Sequence, residues 1–210
     1  MPSINLTNKV AIVTGAGHGA GKIIAQSLAA AGARVAVNDI NPDRAHRVAA
    51  ELRETGGQAT GIMADVSTRF QCVHLIETTR AEWGQLDILI NSASISPAAT
   101  ILRMDEWELM RVLDVNVKGV FFMSQLVGRV MADHHRADPG YSGLIVNLVA
   151  PEVVTGDHAA YVATQAALPA FTRACAREFA PLGIRVRMLE TAATPEETAA
   201  AAMGIVTNDG

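Results

Sequence analysis

The stretch VAIVTGAGHGAGKIIAQSLAAAGARVAVND, residues 10–39, constrains the fold more than any other part of the chain. An apolar run leads into Gly15, Gly19 and Gly21, and an alanine-rich helical pattern and a second apolar run follow. Glycines at a strand-to-helix turn allow a sharp bend and a close approach of the backbone to a pyrophosphate, while the helix N-terminus offers N–H groups to the phosphates. The stretch therefore predicts a β-α-β unit that binds a dinucleotide.

The residue at the end of the second strand indicates which dinucleotide is bound. Asp39 lies eighteen residues past Gly21, where a carboxylate can accept hydrogen bonds from both ribose hydroxyls and repel a 2′-phosphate. Arg44 lies beyond the strand end, and we expect it to cap a solvated helix face. The sequence thus predicts NAD as the cofactor in preference to NADP.

Short apolar runs alternate with helical patterns along the whole chain. The predicted strands are Val10–Thr14, Arg34–Asn38, Ala59–Met63, Leu86–Asn91, Gly143–Leu148 and Arg185–Leu189. The predicted helices are 20–31, 42–55, 68–83, 105–134 and 158–180, with a last short helix that begins at Thr194-Pro195-Glu196-Glu197 and ends at Gly204. Because the strands are apolar throughout, the sheet should be parallel and covered on both faces. We predict one doubly wound, Rossmann-like α/β domain over residues 1–210, with helices on both faces and the cofactor at the carboxyl ends of the strands.

The composition and charge argue against several other kinds of protein. Half of the 210 residues are hydrophobic and 18% are charged, which suits one globular domain. A net charge of −4 without a Lys/Arg run argues against nucleic acid, and no apolar run approaches the ~20 residues of a membrane span. Cys72 and Cys175 lack a C-x-x-C spacing and no secretory signal pattern is present, so we expect a cytoplasmic protein. We expect His134 and His135 on different faces of a solvated helix end, and we predict no metal site.

Several segments, in the order in which they occur, resemble the short-chain dehydrogenase/reductase family, including its 3-oxoacyl-ACP reductase-like members. They are the Thr14-Gly15-x-x-x-Gly19-x-Gly21 turn, ADVS at 64–67, LDILINSA at 86–93, DVNVKGVFF at 114–122 and AAYVATQAAL at 159–168. Ser94 stands where the family has a glycine near the adenosine ribose. The resemblance covers nearly the whole chain, and the cofactor-binding residues it predicts are Gly15, His18, Gly19, Ala20, Gly21, Asp39, Asp65, Val66, Asn91 and Ala93.

The resemblance also implies hydride transfer between a nicotinamide and a carbonyl or secondary alcohol carbon. In the family a tyrosine exchanges the proton with the substrate oxygen, a serine holds that oxygen, a lysine anchors the nicotinamide ribose, and an asparagine supports a water chain. Tyr161 and Asn116 match two of these positions, whereas Gln165 replaces the lysine and Ala150 replaces the serine. Gln165 can still hydrogen-bond the ribose, but it has no charge to favour a phenolate, and losing such an element costs on the order of 10²–10³ in rate.

These matches leave two functions open. The first is an NAD-dependent oxidoreductase for a small carbonyl or alcohol substrate, with Tyr161, Asn116 and Gln165 as its catalytic residues and Thr155 or His158 as polar candidates near the lost serine. The second is a non-catalytic, dinucleotide-binding or structural subunit, a pseudoenzyme. This alternative is favoured because the family's Pro-Gly turn, its substrate-covering loop and its seventh strand have no counterpart after ETAAT at residues 190–194.

The resemblance implies an oligomer in either case. Family members commonly pair through the helices equivalent to 105–134 and 158–180, so we expect a homodimer or homotetramer, or a hetero-oligomer with an intact relative. Pro169 lies within the second of these helices and predicts a kink there. A small apolar face on that helix suits close packing, and it consists of Ala159, Val162, Ala163, Ala166, Ala170 and Ala174.

Overall fold

Residues 5–151 and 158–207 are described by the structure, a computed structural model. Six parallel strands form a single sheet in the order β3-β2-β1-β4-β5-β6. They are β1 Val10–Val13, β2 Arg34–Asp39, β3 Gln58–Met63, β4 Ile88–Asn91, β5 Gly143–Val149 and β6 Ile184–Glu190. The predicted parallel sheet is confirmed. Its strand order reverses beside β1, so a crevice at the carboxyl ends of β1 and β4 is the expected place for a ligand.

Helices cover both faces of this sheet, as the sequence predicted. They are α1 Gly19–Ala30, α2 Pro42–Glu54, α3 Arg69–Trp83, α4 Glu106–Leu113, α5 Val120–Ala137, α6 Ala159–Phe179 and α7 Pro195–Thr207. On one face, α1, α2 and α7 bury Ile24, Val48 and Met203. On the other face, α3, α5 and α6 bury Leu75, Met123 and Cys175. The doubly wound arrangement is therefore confirmed.

The predicted helix 105–134 is interrupted in the structure. Between α4 and α5, residues Asp114–Gly119 form a π-helical turn. A π turn adds a residue to the helical repeat and is frequent at functional sites. Asn116 lies inside this turn and is 1% exposed. Its amide bonds to Ile95 and Thr164, which are distant in sequence, and helical periodicity alone could not reveal these contacts.

The last helix extends further than the sequence predicted. The predicted capping box is confirmed, since Glu197 N donates to Thr194 Oγ1 at 3.1 Å and Thr194 N donates to Glu197 Oε2 at 3.3 Å. The prediction that Gly204 ends the helix is wrong, because α7 continues to Thr207. Met203 is buried where α7 packs against α1, and this packing offsets the cost of about 1 kcal/mol of a glycine inside a helix.

The connection between β6 and α7 consists of residues 191–194 alone. Thr191 N donates to the Val149 carbonyl oxygen at 2.8 Å, and Ala192 N donates to Thr198 Oγ1 at 2.9 Å, so the connection is tied to β5 and α7. Among the described residues, no strand pairs with the outer edge of β6.

No helix within residues 5–151 and 158–207 is long and apolar enough to cross a bilayer. The same ranges hold no group of three or more His, Cys, Asp or Glu side chains placed to share a metal ion. The expectation that His134 and His135 lie on a solvated helix end is wrong. Both are half-buried, and His135 Nδ1 lies 2.9 Å from the carbonyl oxygen of Tyr141.

Candidate functional site

The glycine-rich turn after β1 leaves the first turn of α1 open to a ligand. Gly15 and Gly19 have φ angles of +64° and +56°, a region that favours glycine. A Cβ at Gly15 would also lie 2.7 Å from the Cα of Ala93. The N-cap residue His18 makes no side-chain hydrogen bond to the helix, so the N–H groups at the start of α1 remain available. Such a helix N-terminus, with its positive dipole end, fits a pyrophosphate.

Two adjoining cavities lie along the carboxyl ends of the strands and share the glycine-rich turn. The first, here called the central cavity, has a volume of about 220 Å³ and extends to Tyr161 and Gln165 on α6. The second, here called the β2 cavity, has a volume of about 140 Å³ and extends to Asp39 and Asp65. The structure places every predicted site residue in the wall of at least one of them, namely Gly15, His18, Gly19, Ala20, Gly21, Asp39, Asp65, Val66, Asn91, Ala93, Asn116, Tyr161 and Gln165.

Thr14, directly after β1, fastens the segment after β4 to the glycine-rich turn. Its Oγ1 accepts hydrogen bonds from Ser92 N at 3.0 Å and from Ala93 N at 3.1 Å. These bonds hold Ala93 against Gly15, which explains why a larger residue would not fit at position 15. The sequence analysis assigned Thr14 no separate role. The sequence signal for Thr14 was a polar residue at the end of an otherwise apolar strand. Thr14 is 1% exposed.

Asn91, a predicted cofactor residue, belongs to a buried polar network. Its Nδ2 donates to Asn147 Oδ1 at 2.8 Å and to Ser124 Oγ at 3.2 Å. Asn147 Nδ2 in turn donates to Thr172 Oγ1 at 2.9 Å. The network joins β4, β5, α5 and α6 behind the central cavity, so the side chain of Asn91 positions these elements, and its contact with a cofactor stays a prediction. The sequence analysis missed Asn147 and Thr172, although an asparagine inside the apolar run GLIVNLV was a usable signal.

Asp39 already accepts a full set of hydrogen bonds within the protein. It is 3% exposed, and its Oδ2 accepts from Gly17 N at 3.1 Å. Its Oδ1 accepts from Asn41 N at 2.9 Å and from Arg44 Nε and Nη2 at 3.2 and 2.9 Å. The expectation that Arg44 caps a solvated helix face is wrong, because Arg44 lies in the wall of the β2 cavity. Arg44 therefore partly neutralises the carboxylate that is predicted to bind the ribose.

Asp65 forms the second carboxylate of the β2 cavity. Its Oδ1 accepts from Ser67 N at 2.9 Å and from Ser67 Oγ at 2.6 Å, and its Oδ2 accepts from Arg111 Nη1 at 3.3 Å. Burial acts to raise the pKa of Asp65, but the hydrogen bonds from Ser67 and the charge of Arg111 outweigh it, so the pKa lies below its usual value. The β2 cavity thus has two carboxylates in its wall, each paired with an arginine.

Asn116 joins the segment after β4 to α6. Its Oδ1 accepts from Ile95 N at 2.9 Å and from Ser94 Oγ at 3.3 Å. Its Nδ2 donates to the Ile95 carbonyl oxygen at 2.9 Å and to Thr164 Oγ1 at 3.1 Å. The amide is therefore fully used by protein groups, and it fixes Ser94 beside α6. Support of a water chain by Asn116 stays a prediction.

Tyr161 lies half-buried in the first turn of α6, in the wall of the central cavity. Burial raises the pKa of its phenol, and a hydrogen bond with the Ser94 side chain acts in the opposite direction. No lysine or arginine of the described residues lines the central cavity. Because even an unperturbed tyrosine has a pKa of about 10, Tyr161 is protonated at neutral pH. It can therefore act as a proton donor in its resting state.

Gln165 lies one helical turn after Tyr161 and shares the central cavity with it, as the sequence predicted. The side chain is 7% exposed, and its Oε1 accepts a hydrogen bond from Ala150 N at 2.8 Å. The residues at the family's lysine and serine positions, Gln165 and Ala150, are thus bonded to each other. Because Oε1 accepts this bond, Nε2 is the donor that Gln165 retains for other partners, and its contact with a nicotinamide ribose stays a prediction.

The two polar candidates for the lost serine were Thr155 and His158. Thr155 lies outside the described residues. His158 precedes α6, and its Nδ1 lies 2.9 Å from Ser96 Oγ. Within the described walls of the central and β2 cavities, His158 is not among the lining residues. The polar neighbour that sequence reasoning missed is Ser94, which was noted only as a replaced glycine.

The chain is similar to dehydrogenases and reductases of known sequence and structure. A family profile described as short chain dehydrogenase matches residues 9–203. A 3-oxoacyl-[acyl-carrier-protein] reductase of Synechocystis sp. is 35% identical over 184 residues, which are 86% of this chain and 72% of that protein. A D-threitol dehydrogenase of Mycolicibacterium smegmatis is 34% identical over 188 residues, 88% of this chain and 69% of that protein.

Solved structures show the same similarity. A short chain dehydrogenase from Mycobacterium avium has a TM-score of 0.88 at 28% identity, covering 95% of this chain and 77% of that chain. A short-chain type dehydrogenase/reductase from Mycobacterium marinum has a TM-score of 0.83 at 33% identity, covering 90% of this chain and 74% of that chain. The similarity therefore extends over both faces of the sheet and both cavities.

Proposed function

The chain belongs to the short chain dehydrogenase family, and on that premise we propose that it binds NAD(H) and transfers a hydride between the nicotinamide and a small ketone or secondary alcohol. The observation that carries this proposal is the central cavity, in which Tyr161 shares a wall with the glycine-rich turn. Relatives named as a 3-oxoacyl-[acyl-carrier-protein] reductase and a D-threitol dehydrogenase support the same class of reaction.

The charges around the β2 cavity support NAD(H) over NADP(H). Asp39 and Asp65 both line it, and a 2′-phosphate would meet their negative charge, which Arg44 and Arg111 offset only in part. The start of α1 supplies the N–H groups for the pyrophosphate. We assign the cofactor contacts to Gly15, His18, Gly19, Ala20, Gly21, Asp39, Asp65, Val66, Asn91 and Ala93.

Tyr161 handles the proton in this proposal, while a bound NAD(H) supplies or accepts the hydride. The buried phenol is protonated at neutral pH and can donate to the oxygen of a carbonyl. Gln165 donates through Nε2 to the nicotinamide ribose, and Asn116 holds the segment after β4 in place. The site favours carbonyl reduction over alcohol oxidation, because oxidation requires a phenolate and no lysine or arginine of the described cavity wall stabilises one.

The test of this function has two steps. Calorimetric titration of the purified chain with NADH and NADPH should show micromolar binding of NADH and weaker binding of NADPH. NADH oxidation is then followed with a panel of small ketones for the wild-type chain and for Tyr161→Phe, which keeps the ring and loses the hydroxyl. Turnover that disappears in Tyr161→Phe while NADH affinity is retained supports the proposal. Turnover that survives this change refutes the role of Tyr161, and a chain that binds neither dinucleotide refutes the whole proposal.

A non-catalytic subunit that acts through association is the second candidate function, and an apolar groove between α5 and α6 supports the association, which is also expected of an active enzyme. The groove has a volume of about 310 Å³, and its walls include Phe121, Phe171 and Phe179. Phe121 is 45% exposed and its ring lies 6.0 Å from that of Phe171, so the groove presents a contiguous apolar surface that suits an interface. We propose that a second copy of the chain packs here, as a homodimer or homotetramer that uses α5 and α6.

Sedimentation equilibrium tests this assembly. A dimer or tetramer that dissociates in Phe121→Asp supports pairing through the groove. A wild-type chain that is monomeric at micromolar concentration refutes it. An assembly that persists in Phe121→Asp places the interface elsewhere.

We also propose that the chain works in the cytoplasm. Cys72 and Cys175 are both free and buried, and reduced thiols are usual in that compartment. Burial raises the pKa of the Cys72 thiol to about 12, which keeps it protonated and unreactive. Detection of the chain in a membrane or extracellular fraction would contradict this location.

A further inference from the structure

Ser94 stands between Tyr161 and Asn116 in the wall of the central cavity. Its Oγ donates to Asn116 Oδ1 at 3.3 Å, and Ser94 and Tyr161 line the same cavity, where the Ser94 hydroxyl acts to lower the pKa of the Tyr161 phenol. Asn116 is held in place, because it is 1% exposed and its amide also bonds Ile95 and Thr164. Ser94 itself is exposed. The Ser94 side chain is therefore held by a fixed amide on the cavity wall that Tyr161 shares.

We propose that Ser94 is a positioning residue that stabilises the Tyr161 phenolate and returns a proton to it, in place of the lysine that Gln165 replaces. The effect of Ser94 on turnover rests on the proposed function. The placement of Ser94 between Asn116 and Tyr161 does not depend on the proposed function, because it is present in the protein alone.

A serine hydroxyl can perform both steps because it has one donor and two acceptor sites. While Tyr161 is protonated, its O–H donates to Ser94 Oγ, and the Ser94 O–H donates to Asn116 Oδ1. Once Tyr161 has given its proton to a substrate oxygen, rotation about the Cβ–Oγ bond turns the Ser94 O–H toward the phenolate. A hydrogen bond to a charged acceptor is about twice as strong as a neutral one, so this rotation is favourable.

The proton balance closes through the solvent. Ser94 transfers the proton on Oγ to Tyr161 Oη and takes one proton from a water molecule, and the hydroxide that remains is neutralised by the bulk buffer. The Tyr161 O–H and the Ser94 O–H are both restored, and the net result is the movement of one proton from water to the substrate oxygen. The exposure of Ser94 is what permits this exchange.

Few titratable groups of the described residues lie close enough to Tyr161 to mask the effect of Ser94 on its pKa. The titratable groups that line the cavities beside it are His18, from the glycine-rich turn, and Glu190, at the end of β6. His158 precedes it on the same helix. Burial is the main influence that raises the pKa of Tyr161, and the hydrogen bond of Ser94 opposes it. A change at Ser94 should therefore be visible in the titration of Tyr161.

The two tyrosines of the chain can be titrated separately. Burial raises the pKa of Tyr141 well above its usual value, and its hydroxyl donates to the Leu86 carbonyl oxygen, so it ionises after Tyr161. The ultraviolet absorbance of tyrosinate is followed against pH in the wild-type chain, in Ser94→Ala and in Ser94→Thr, which keeps the hydroxyl. The Tyr161→Phe variant shows which part of the absorbance change comes from Tyr161. Ser96→Ala is the matched control, since Ser96 contacts His158.

Ser94→Ala should raise the pKa of Tyr161 by about one pH unit, while Ser94→Thr and Ser96→Ala leave it unchanged. Equal pKa values in the wild-type chain and Ser94→Ala would overturn the proposal, and so would an equal rise in Ser96→Ala. Where alkali unfolds a variant, the Cζ chemical shift of ring-labelled Tyr161 at neutral pH makes the same comparison. Loss of the hydrogen bond should move that shift in Ser94→Ala alone.

Turnover separates this proposal from the proposed function. With a ketone that the chain reduces, Ser94→Ala should lower kcat about tenfold and leave KM unchanged, in line with the change in Tyr161. If the wild-type chain reduces no ketone, the proposed function fails, and the titration still tests Ser94. If turnover is normal and the titration of Tyr161 is the same in Ser94→Ala, only the role of Ser94 fails.

Discussion

Replacing Arg44 with glutamine should sharpen the preference for NADH over NADPH. Arg44 Nη2 lies 2.9 Å from Asp39 Oδ1, so the guanidinium offsets the charge that would repel a 2′-phosphate. Glutamine keeps a polar side chain of similar reach and removes the positive charge. The Asp39 carboxylate then faces the β2 cavity without a cation beside it, and its Oδ1, which keeps the hydrogen bond from Asn41 N, has room to accept a ribose hydroxyl.

The size of the effect follows from the position of Arg44 in the cavity wall. A 2′-phosphate in the β2 cavity would share its wall with this guanidinium, and two unit charges about 5 Å apart interact by about 3 kcal/mol at an effective dielectric constant of about 20. The Arg44 side chain is 36% exposed, so solvent screening halves this energy, to about 1.5 kcal/mol. That corresponds to about tenfold in Kd for NADPH, while the Kd for NADH should change by less than about threefold.

Calorimetric titrations with both dinucleotides measure this ratio in the wild-type chain, in Arg44→Gln and in Arg47→Gln. Arg47 is the matched control, since it lies on the same helix, is 61% exposed and pairs with Glu51 at 3.8 Å. The ratio of the NADPH Kd to the NADH Kd should rise about tenfold in Arg44→Gln alone. A ratio that stays constant or falls would refute the electrostatic argument.

Three further changes test the site and the fold. Gln165→Lys combined with Ala150→Ser should raise ketone reduction by about tenfold or more, measured as NADH oxidation, and no gain with unchanged association would favour the non-catalytic subunit. Thr194→Ala removes the capping box and should lower the free energy of unfolding by about 1 kcal/mol, measured by urea denaturation. An unchanged midpoint would show that packing alone, without the cap, holds α7 in place. Asp65 has a folded-state pKa below its unfolded value, so it contributes stability that is present above about pH 4 and lost as the pH falls through the folded pKa. Asp65→Asn should therefore lower the urea midpoint at neutral pH, with a difference from wild type that shrinks in acid, and a difference independent of pH would contradict this assignment.

Most of the fold could be predicted from local patterns, and the errors arose where packing outweighed them. Apolar runs and helical periodicity indicated the parallel sheet and its two helical layers, because burial on both faces leaves that signature in any such strand. Gly204 looked like a helix end by composition, yet the burial of Met203 against α1 carries α7 past it. The π turn at Asp114–Gly119 was not predictable, since it depends on contacts of Asn116 with distant residues.

The sequence alone determined where a ligand site should lie and which residues surround it. Gly15, Gly19 and Asp39 act through local chain geometry, and the positions of Tyr161 and Gln165 one turn apart follow from the helical repeat. For this reason all the predicted site residues meet at the carboxyl ends of the strands.

Only the tertiary structure decided what those residues contact. It pairs Asp39 with Arg44, bonds Gln165 to Ala150 N, and places the Ser94 hydroxyl beside Tyr161. Such contacts join side chains from different loops and helices, and their distances depend on how the sheet and its layers pack. A sequence pattern records the type of residue at each position, whereas the charge that a site presents depends on which partners the folded chain brings within hydrogen-bond reach.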